Sequence, residues 1–350
     1  MAQNLPGFNS RDEQQQQFGQ NFVMDAVLDD FQARAPVYLP GKPPILAELP
    51  PFPAVALRAM KLVSSNETSL RELHDAIHTD QAFASELLRI ANCPLYQTRA
   101  NIKSTMQAVT LLGFKRLKAV VLTIGVRNYL GSALRIPAIR DCWRHCLACA
   151  MISEELARVS GAGAASNPGG GWLVSPRANG KPSRQTADSN SRNAAIPMLD
   201  KEVAYTAGMI HDLGRLALAV ARPEEFSELL KTTGDGSRDM MQREKDVFGT
   251  DHCEAGNALS LTWNFPLEFV EVMSRHHAPQ EEGRFDLLTV VHYGCRISDA
   301  LGFGAGGNAN PATYEDLVRE LPESIRRHFE CDQDELTQII TKRILAIEPM

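Results

Sequence analysis

From residue 69 onward, apolar positions recur at intervals of three and four, the period of a helix with one buried face. Ser69 and Glu72 predict a capping box ahead of Leu70, Leu73 and Ile77. Asp80 is placed to cap a second helix with Phe83, Leu87 and Ala91 on one side. Pro94 ends that helix, because proline disfavours helical geometry at the residue before it. Ser104 and Gln107 predict another capping box, Gly113 a stop, and Leu117, Val120, Val121 and Ile124 the helix after it. A further helix is expected over 143–159, and the period resumes at Lys201. Asp251 and Glu254 repeat the capping box around His252, and Pro266 stands in a first turn ahead of Leu267, Val270 and Met273. Residues 285–301 predict one more helix, with Leu288, Val291, Cys295 and Asp299 roughly on one side. No segment alternates as a strand would. The fold class expected is all-α: a helical bundle over 45–135 packed against a second over 136–302. A helical tail over 303–350 is expected to start near Tyr314 and Asp334.

Two stretches break the pattern. Residues 1–44 form an amino-terminal extension whose first 17 positions are polar, Gln-rich and expected to be disordered. A helical stripe of Phe22, Val23, Ala26, Val27 and Phe31 follows, and then a Pro-rich connector over 36–53. Residues 160–197 are rich in Gly, Ser, Asn, Pro and Ala, with little to bury, so a mobile, dispensable insertion is expected there. Loop-closure entropy grows slowly with length, so this insertion does not keep the helices on either side apart.

The chain has 350 residues, 44% of them hydrophobic, enough for a sizeable core. A net charge of -6 and a pI near 5.9 give no basic footprint, so no direct nucleic-acid partner is expected. The longest strongly apolar run, residues 119–126, is too short to cross a bilayer. The polar start carries no signal-peptide core. A cytoplasmic location is therefore expected, with no membrane partner and with seven free thiols.

The chemistry concentrates in residues 207–218, where His211 and Asp212 interrupt an apolar helical segment. Two polar side chains are costly to bury without partners, and imidazole nitrogen and carboxylate oxygen are both metal ligands. Further imidazoles are available at His145, His252, His276 and His277. The last two close the helix that starts at Pro266 and are expected to point inward. Together these six residues are enough for one or two divalent ions. His74 and His78, four apart, read better as surface residues with no third ligand nearby. Cys142, Cys146 and Cys149 match the spacing of an iron–sulfur motif. They lie along one helix, where they serve better as small buried side chains.

The chain resembles bacterial HDOD-domain proteins, a signalling-associated branch of the HD metal-phosphohydrolase superfamily. The likeness rests on the residues Leu-Pro-Pro-Phe-Pro at 49–53, the Asp80 helix, Leu-Arg-Ile-Ala-Asn-Cys-Pro at 88–94 and Ala-Val-Thr-Leu-Leu-Gly at 108–113. It continues through Trp143-Arg144-His145, His211-Asp212, Asp251-His252 with Gly256, Trp-Asn-Phe-Pro at 263–266 and His276-His277-Ala278-Pro279. It implies that the second bundle is HD-like. It also implies that His145, His211 and Asp212 match the core metal ligands, with His252, His276 and His277 matching additional ones. The departure is at the distal carboxylate: setting Val291-His292-Tyr293-Gly294-Cys295-Arg296 against the family's usual Ala-Asp-Arg element places Cys295 where active relatives carry Asp, and Asp299 falls one helical turn later.

A neutral thiol in that position weakens binding of magnesium and manganese, whereas a thiolate favours zinc. The Gly-Tyr-Pro signature of cyclic-dinucleotide phosphodiesterases is absent after the His pair, where Ala278-Pro279-Gln280-Glu281 stands. The function expected is a non-catalytic regulatory module in signal transduction, working through signalling proteins or by sensing a ligand, such as a nucleotide, in a degenerate metal pocket. The divalent cofactor is left open among zinc, manganese, magnesium and iron. The alternatives are a metal-dependent phosphohydrolase acting on a nucleotide or cyclic dinucleotide, and a structural histidine cluster without a ligand.

Overall fold

The computed structural model describes residues 43–64, 69–93, 102–160, 199–231, 240–278, 285–304, 312–329 and 331–348. The amino-terminal stripe and the insertion expected over 160–197 fall outside these residues, apart from Ser160, which closes a helix. Among the described residues every regular element is helical, as the spacing of apolar positions predicts.

A short 3-10 turn, Pro44–Ala47, leads into α1 (Ala54–Ser64), α2 (Leu70–His78), α3 (Gln81–Ala91) and α4 (Thr105–Leu130). Local chemistry sets their ends. The Ser69 hydroxyl accepts the Glu72 amide at 3.2 Å while Glu72 accepts the Ser69 amide at 2.8 Å, completing the expected box. At the start of α4 only half of the second box forms. Ser104 accepts the Gln107 amide at 3.1 Å, but the Gln107 side chain reaches past it to the Lys103 amide at 2.9 Å. Gly113, at φ 68° and ψ 169°, breaks α4 into two segments, a conformation that favours glycine. Asn92 closes α3 and binds both backbone groups of Ile102 at 2.8 Å, joining the two ends of the segment between them.

The second half contains α5 (Pro137–Ser160), α6 (Lys201–Ile210), α7 (Leu213–Ala221), α8 (Pro223–Lys231), α9 (Met240–Phe248), α10 (His252–Thr262), α11 (Leu267–Arg275) and α12 (Leu287–Ser298). Helices α1, α2 and α3 pack on α4, α4 packs on α6, and α6 and α12 pack on α5. Helix α7 lies against α10, which lies against α11. An aromatic trio also joins the halves: Phe52 sits 4.9 Å from Trp263 and 5.6 Å from Tyr129 between ring centroids. Phe52 and Trp263 belong to two of the Pro-containing motifs singled out in the sequence, and they pack against each other.

The tail forms α13 (Tyr314–Glu320), α14 (Glu323–Arg326) and α15 (Gln333–Ile347). It returns to the front of the molecule. Arg89 of α3 donates to the Ile347 carbonyl at 2.6 Å, and Arg144 of α5 grips the Glu348 carboxylate at 2.8 and 3.1 Å. The chain end is thereby tied to both halves.

Candidate metal centre

Six helices bring the candidate ligands together. His145 projects from the middle of α5, whose surface is buried over most of its length. His211 closes α6 and Asp212 opens α7, so the chain turns between them and both side chains enter one space. His252 is the first residue of α10, His276 closes α11 with His277 after it, and Cys295 lies on α12. Two glycines permit the close approach. A Cβ on Gly208 would lie 2.8 Å from the Ala150 backbone, and one on Gly214 would lie 1.9 Å from the His252 carbonyl oxygen. His145, His211, Asp212, His252 and His276 are each 2% exposed or less. His277 is the exception to the expected inward set. It is exposed, although its Nε2 lies 2.8 Å from Nε2 of His252.

The imidazoles share one orientation. Nδ1–H of His211 donates to the Gly208 carbonyl at 2.7 Å, and that of His276 donates to the Val272 carbonyl at 3.1 Å. A carbonyl only accepts, so in both rings Nδ1 carries the proton and Nε2 keeps a lone pair. In His145, Nδ1 faces the Ser298 hydroxyl at 3.1 Å, and that hydroxyl spends its own proton on the Cys295 carbonyl at 2.7 Å. In His252, Nδ1 meets the Glu244 carboxylate at 2.5 Å. Each Nε2 therefore points inward, around Asp212.

That convergence leaves acceptors facing acceptors. Nε2 of His145 and Nε2 of His211 are 3.3 Å apart. Nε2 of His276 and Oδ1 of Asp212, also 3.3 Å apart, are buried and make no hydrogen bond. Buried acceptors are costly to leave unpaired, and a cation between them removes the cost. Three sets of donors crowd closely enough to hold an ion: His145, His211 and Cys295; His211, Asp212 and His276; and His252, Cys253, His276 and His277. The donors present fit a divalent metal.

Burial depresses the basicity of His145, His211 and His276 to a pKa of about 4, so each is neutral and able to ligate at pH 7. Burial also works against charge on Asp212, but Arg215 and the surrounding imidazoles hold its carboxyl well below the usual range. At His252, burial and Arg215 oppose protonation while the Glu244 carboxylate raises the pKa well above its ordinary value. Burial pushes the Cys295 thiol far up, so without a metal it keeps its proton.

Three residues at the site carry no expectation from the sequence. Arg215 donates to Asp212 Oδ2 at 2.7 Å and to Glu244 at 3.3 Å. A guanidinium inside an apolar helix three residues after Asp212 was a legible signal. Glu244 sits on α9, a mostly polar helix, and nothing local marks it. Cys253 joins the His252 set through the first turn of α10. Asp299 does not replace the distal carboxylate. Its Oδ1 lies 3.3 Å from Nδ1 of His145, the outward nitrogen, where the chain widens into a π turn over Asp299–Phe303. Cys295 is the residue at the inner nitrogen, 3.5 Å from Nε2 of His145.

The HDOD domain profile matches residues 49–167 and 189–279, more than half of the chain. The chain belongs to the HDOD domain family. A solved HDOD domain protein of unknown function from Geobacter sulfurreducens is 20% identical, with a TM-score of 0.59 over 87% of this chain and 96% of that one. A Marinobacter aquaeolei structure provisionally classed as a signal transduction protein is 18% identical, with a TM-score of 0.59 over 93% of this chain and 64% of that one. These likenesses show the fold. An uncharacterized protein of Treponema pallidum (strain Nichols) is 21% identical over 240 residues, which is 67% of this chain. The match covers 39% of that curated relative's length. The HDOD match ends at 279, short of Cys295 and Asp299.

Proposed function

We propose that this HDOD protein is a non-catalytic signal-transduction module whose enclosed histidine pocket holds a divalent ion, and that it acts through contacts with signalling proteins. One observation carries the reading. The donors around Asp212 are almost fully buried, and the side chain that α12 brings to Nε2 of His145, 3.5 Å away, is the Cys295 thiol rather than a carboxylate. Hydrolysis of a phosphodiester needs a metal with an open position, to polarise the phosphoryl oxygen and acidify a bound water. Here Arg215 already occupies one side of the Asp212 carboxylate, and the side chains around it are almost fully buried. His145, His211, Asp212, His252, His276 and Cys295 would hold the ion, with His277 at the exposed edge. The same ion would fix six helices relative to one another, which gives the pocket a structural or sensing use. No described helix is long and apolar enough to cross a membrane.

The test is an assay of purified protein with magnesium or manganese against model phosphodiesters, nucleotides and cyclic dinucleotides. No turnover above background is expected. Robust turnover abolished by Asp212→Ala would establish the metal-dependent phosphohydrolase instead.

A further inference from the structure

Asp212 divides the pocket. Its Oδ1 faces His276 at 3.3 Å and His252 at 3.6 Å, while its Oδ2 faces His145 and His211, each at 3.8 Å. The Oδ2 side has a third donor type. The Cys295 sulfur lies 3.5 Å from Nε2 of His145, which is itself 3.3 Å from Nε2 of His211, and the three donor atoms fall within 4.8 Å of one another.

We propose that the Oδ2 side is a zinc site with four protein donors, Nε2 of His145, Nε2 of His211, Sγ of Cys295 and Oδ2 of Asp212, in which the thiolate selects zinc over magnesium and manganese. The proposal rests on the reading of the pocket as a divalent-metal centre; it does not depend on the absence of catalysis.

Ligand spacing is the first argument. Tetrahedral zinc with nitrogen and oxygen near 2.0–2.2 Å and sulfur near 2.3 Å holds its ligand atoms roughly 3.3–3.6 Å apart. The separations of 3.3 and 3.5 Å already match, and the two of 3.8 Å from Asp212 Oδ2 need to shorten by a few tenths of an ångström. The three donors grouped within 4.8 Å of one another are those of His145, His211 and Cys295. Donor character is the second. A thiolate carries the same charge as the carboxylate it replaces, so the electrostatics of the pocket are kept while a hard oxygen gives way to soft sulfur. Cys149 of α5 is directed at the Val291 carbonyl, 3.8 Å away, whereas Cys295 of α12 lies 3.5 Å from Nε2 of His145. Arg215 uses one lone pair of Asp212 Oδ2, and a carboxylate oxygen keeps another for an ion. As the Zn–S bond forms, the Cys295 proton leaves to solvent and hydrated zinc sheds its waters. The outward Nδ1 contacts of both imidazoles stay in place.

Full-length protein is stripped with a chelator and reloaded with zinc or cobalt(II). X-ray absorption of the zinc protein is expected to show one sulfur at about 2.3 Å. The cobalt protein is expected to show a near-ultraviolet thiolate-to-cobalt charge-transfer band that is lost in Cys295→Ser and retained in Cys253→Ser. Excess magnesium or manganese is expected not to displace the zinc. Zinc bound by nitrogen and oxygen alone overturns the proposal while leaving the metal pocket standing. So does a band lost in Cys253→Ser and kept in Cys295→Ser, which puts the ion on the Oδ1 side. Failure to bind any divalent ion overturns both. The absorption measurement uses unmutated protein, so misfolding of a variant does not blunt the test.

Discussion

At the scale of single residues, the pocket is defined less by which side chains are present than by which nitrogen each imidazole turns inward. That choice is made outside the ligand set, by Gly208, Val272, Glu244 and Ser298. Asp299 adds an acceptor beside the outer nitrogen of His145, and burial raises its own pKa to about 7. Such outer partners orient a ligand and raise its basicity, and their loss commonly costs about 10–100-fold in metal affinity. Asp299→Asn keeps the shape but removes the charge, and Ser298 still holds the ring. A loss of about tenfold in zinc affinity, the lower end of that range, is expected in competition with a chromophoric chelator, with an unchanged helical circular dichroism spectrum. The candidate ligands themselves were visible in the sequence because they are rare, polar and set in apolar helices. Their partners were not, because a backbone carbonyl or a glutamate on a polar helix has no signature until the chain is folded.

At the scale of elements, the helix ends were legible because caps are local chemistry. Ser69 with Glu72, Asp80, and Asp251 with Glu254 all do what their spacing predicts. The exception is instructive: Gln107 is long enough to find the amide one residue earlier than the capping box requires. How helices meet is less local. Glu86 of α3 accepts from Arg89 at 2.7 Å and from Arg127 of α4 at 2.9 Å, a pairing across helices that spacing within one helix cannot reveal. Burial disfavours its charge, but the two guanidiniums prevail and its pKa is lowered. A carboxylate with a depressed folded pKa stabilises the protein above its unfolded pKa and loses that contribution as pH falls through the folded value. Glu86→Gln should therefore destabilise the protein by about 1–2 kcal/mol at pH 7. The gap to wild type should close once the pH drops below the ordinary carboxylate range. Urea denaturation of both proteins at several pH values measures it; a gap that persists in acid would show that packing, not charge, is responsible.

At the scale of the whole molecule, the pocket lies where α5, α6, α7, α10, α11 and α12 meet, so an ion there binds the folded state and not the unfolded chain. A ligand at a thousandfold excess over its Kd stabilises by about 4 kcal/mol. Zinc should raise the melting temperature of chelator-treated protein by several degrees, with a smaller rise in His145→Ala than in wild type, measured by thermal unfolding. An equal rise in both proteins would show that the ion binds elsewhere. The carboxyl-terminal return to Arg89 and Arg144 places the chain end beside the helix that carries His145.

The sequence by itself determined the all-α class, the caps and breaks that bound most helices, and the identity of six candidate ligands. Each follows from local rules: periodic burial, backbone groups that need partners, and polar side chains too costly to bury for nothing. It did not determine which oxygen of Asp212 faces which imidazole, that Arg215 and Glu244 enter the pocket, that His277 stays at its rim, or that Asp299 meets the outer nitrogen of His145 while Cys295 meets the inner one. Those facts depend on the rotation and depth at which separate helices pack. Rotation and depth are set by close contacts such as Gly208 on α5 and Gly214 on α10, between residues far apart in the chain. Tertiary structure alone decided them, because a helix fixes the spacing of its own side chains but not the neighbour they will meet.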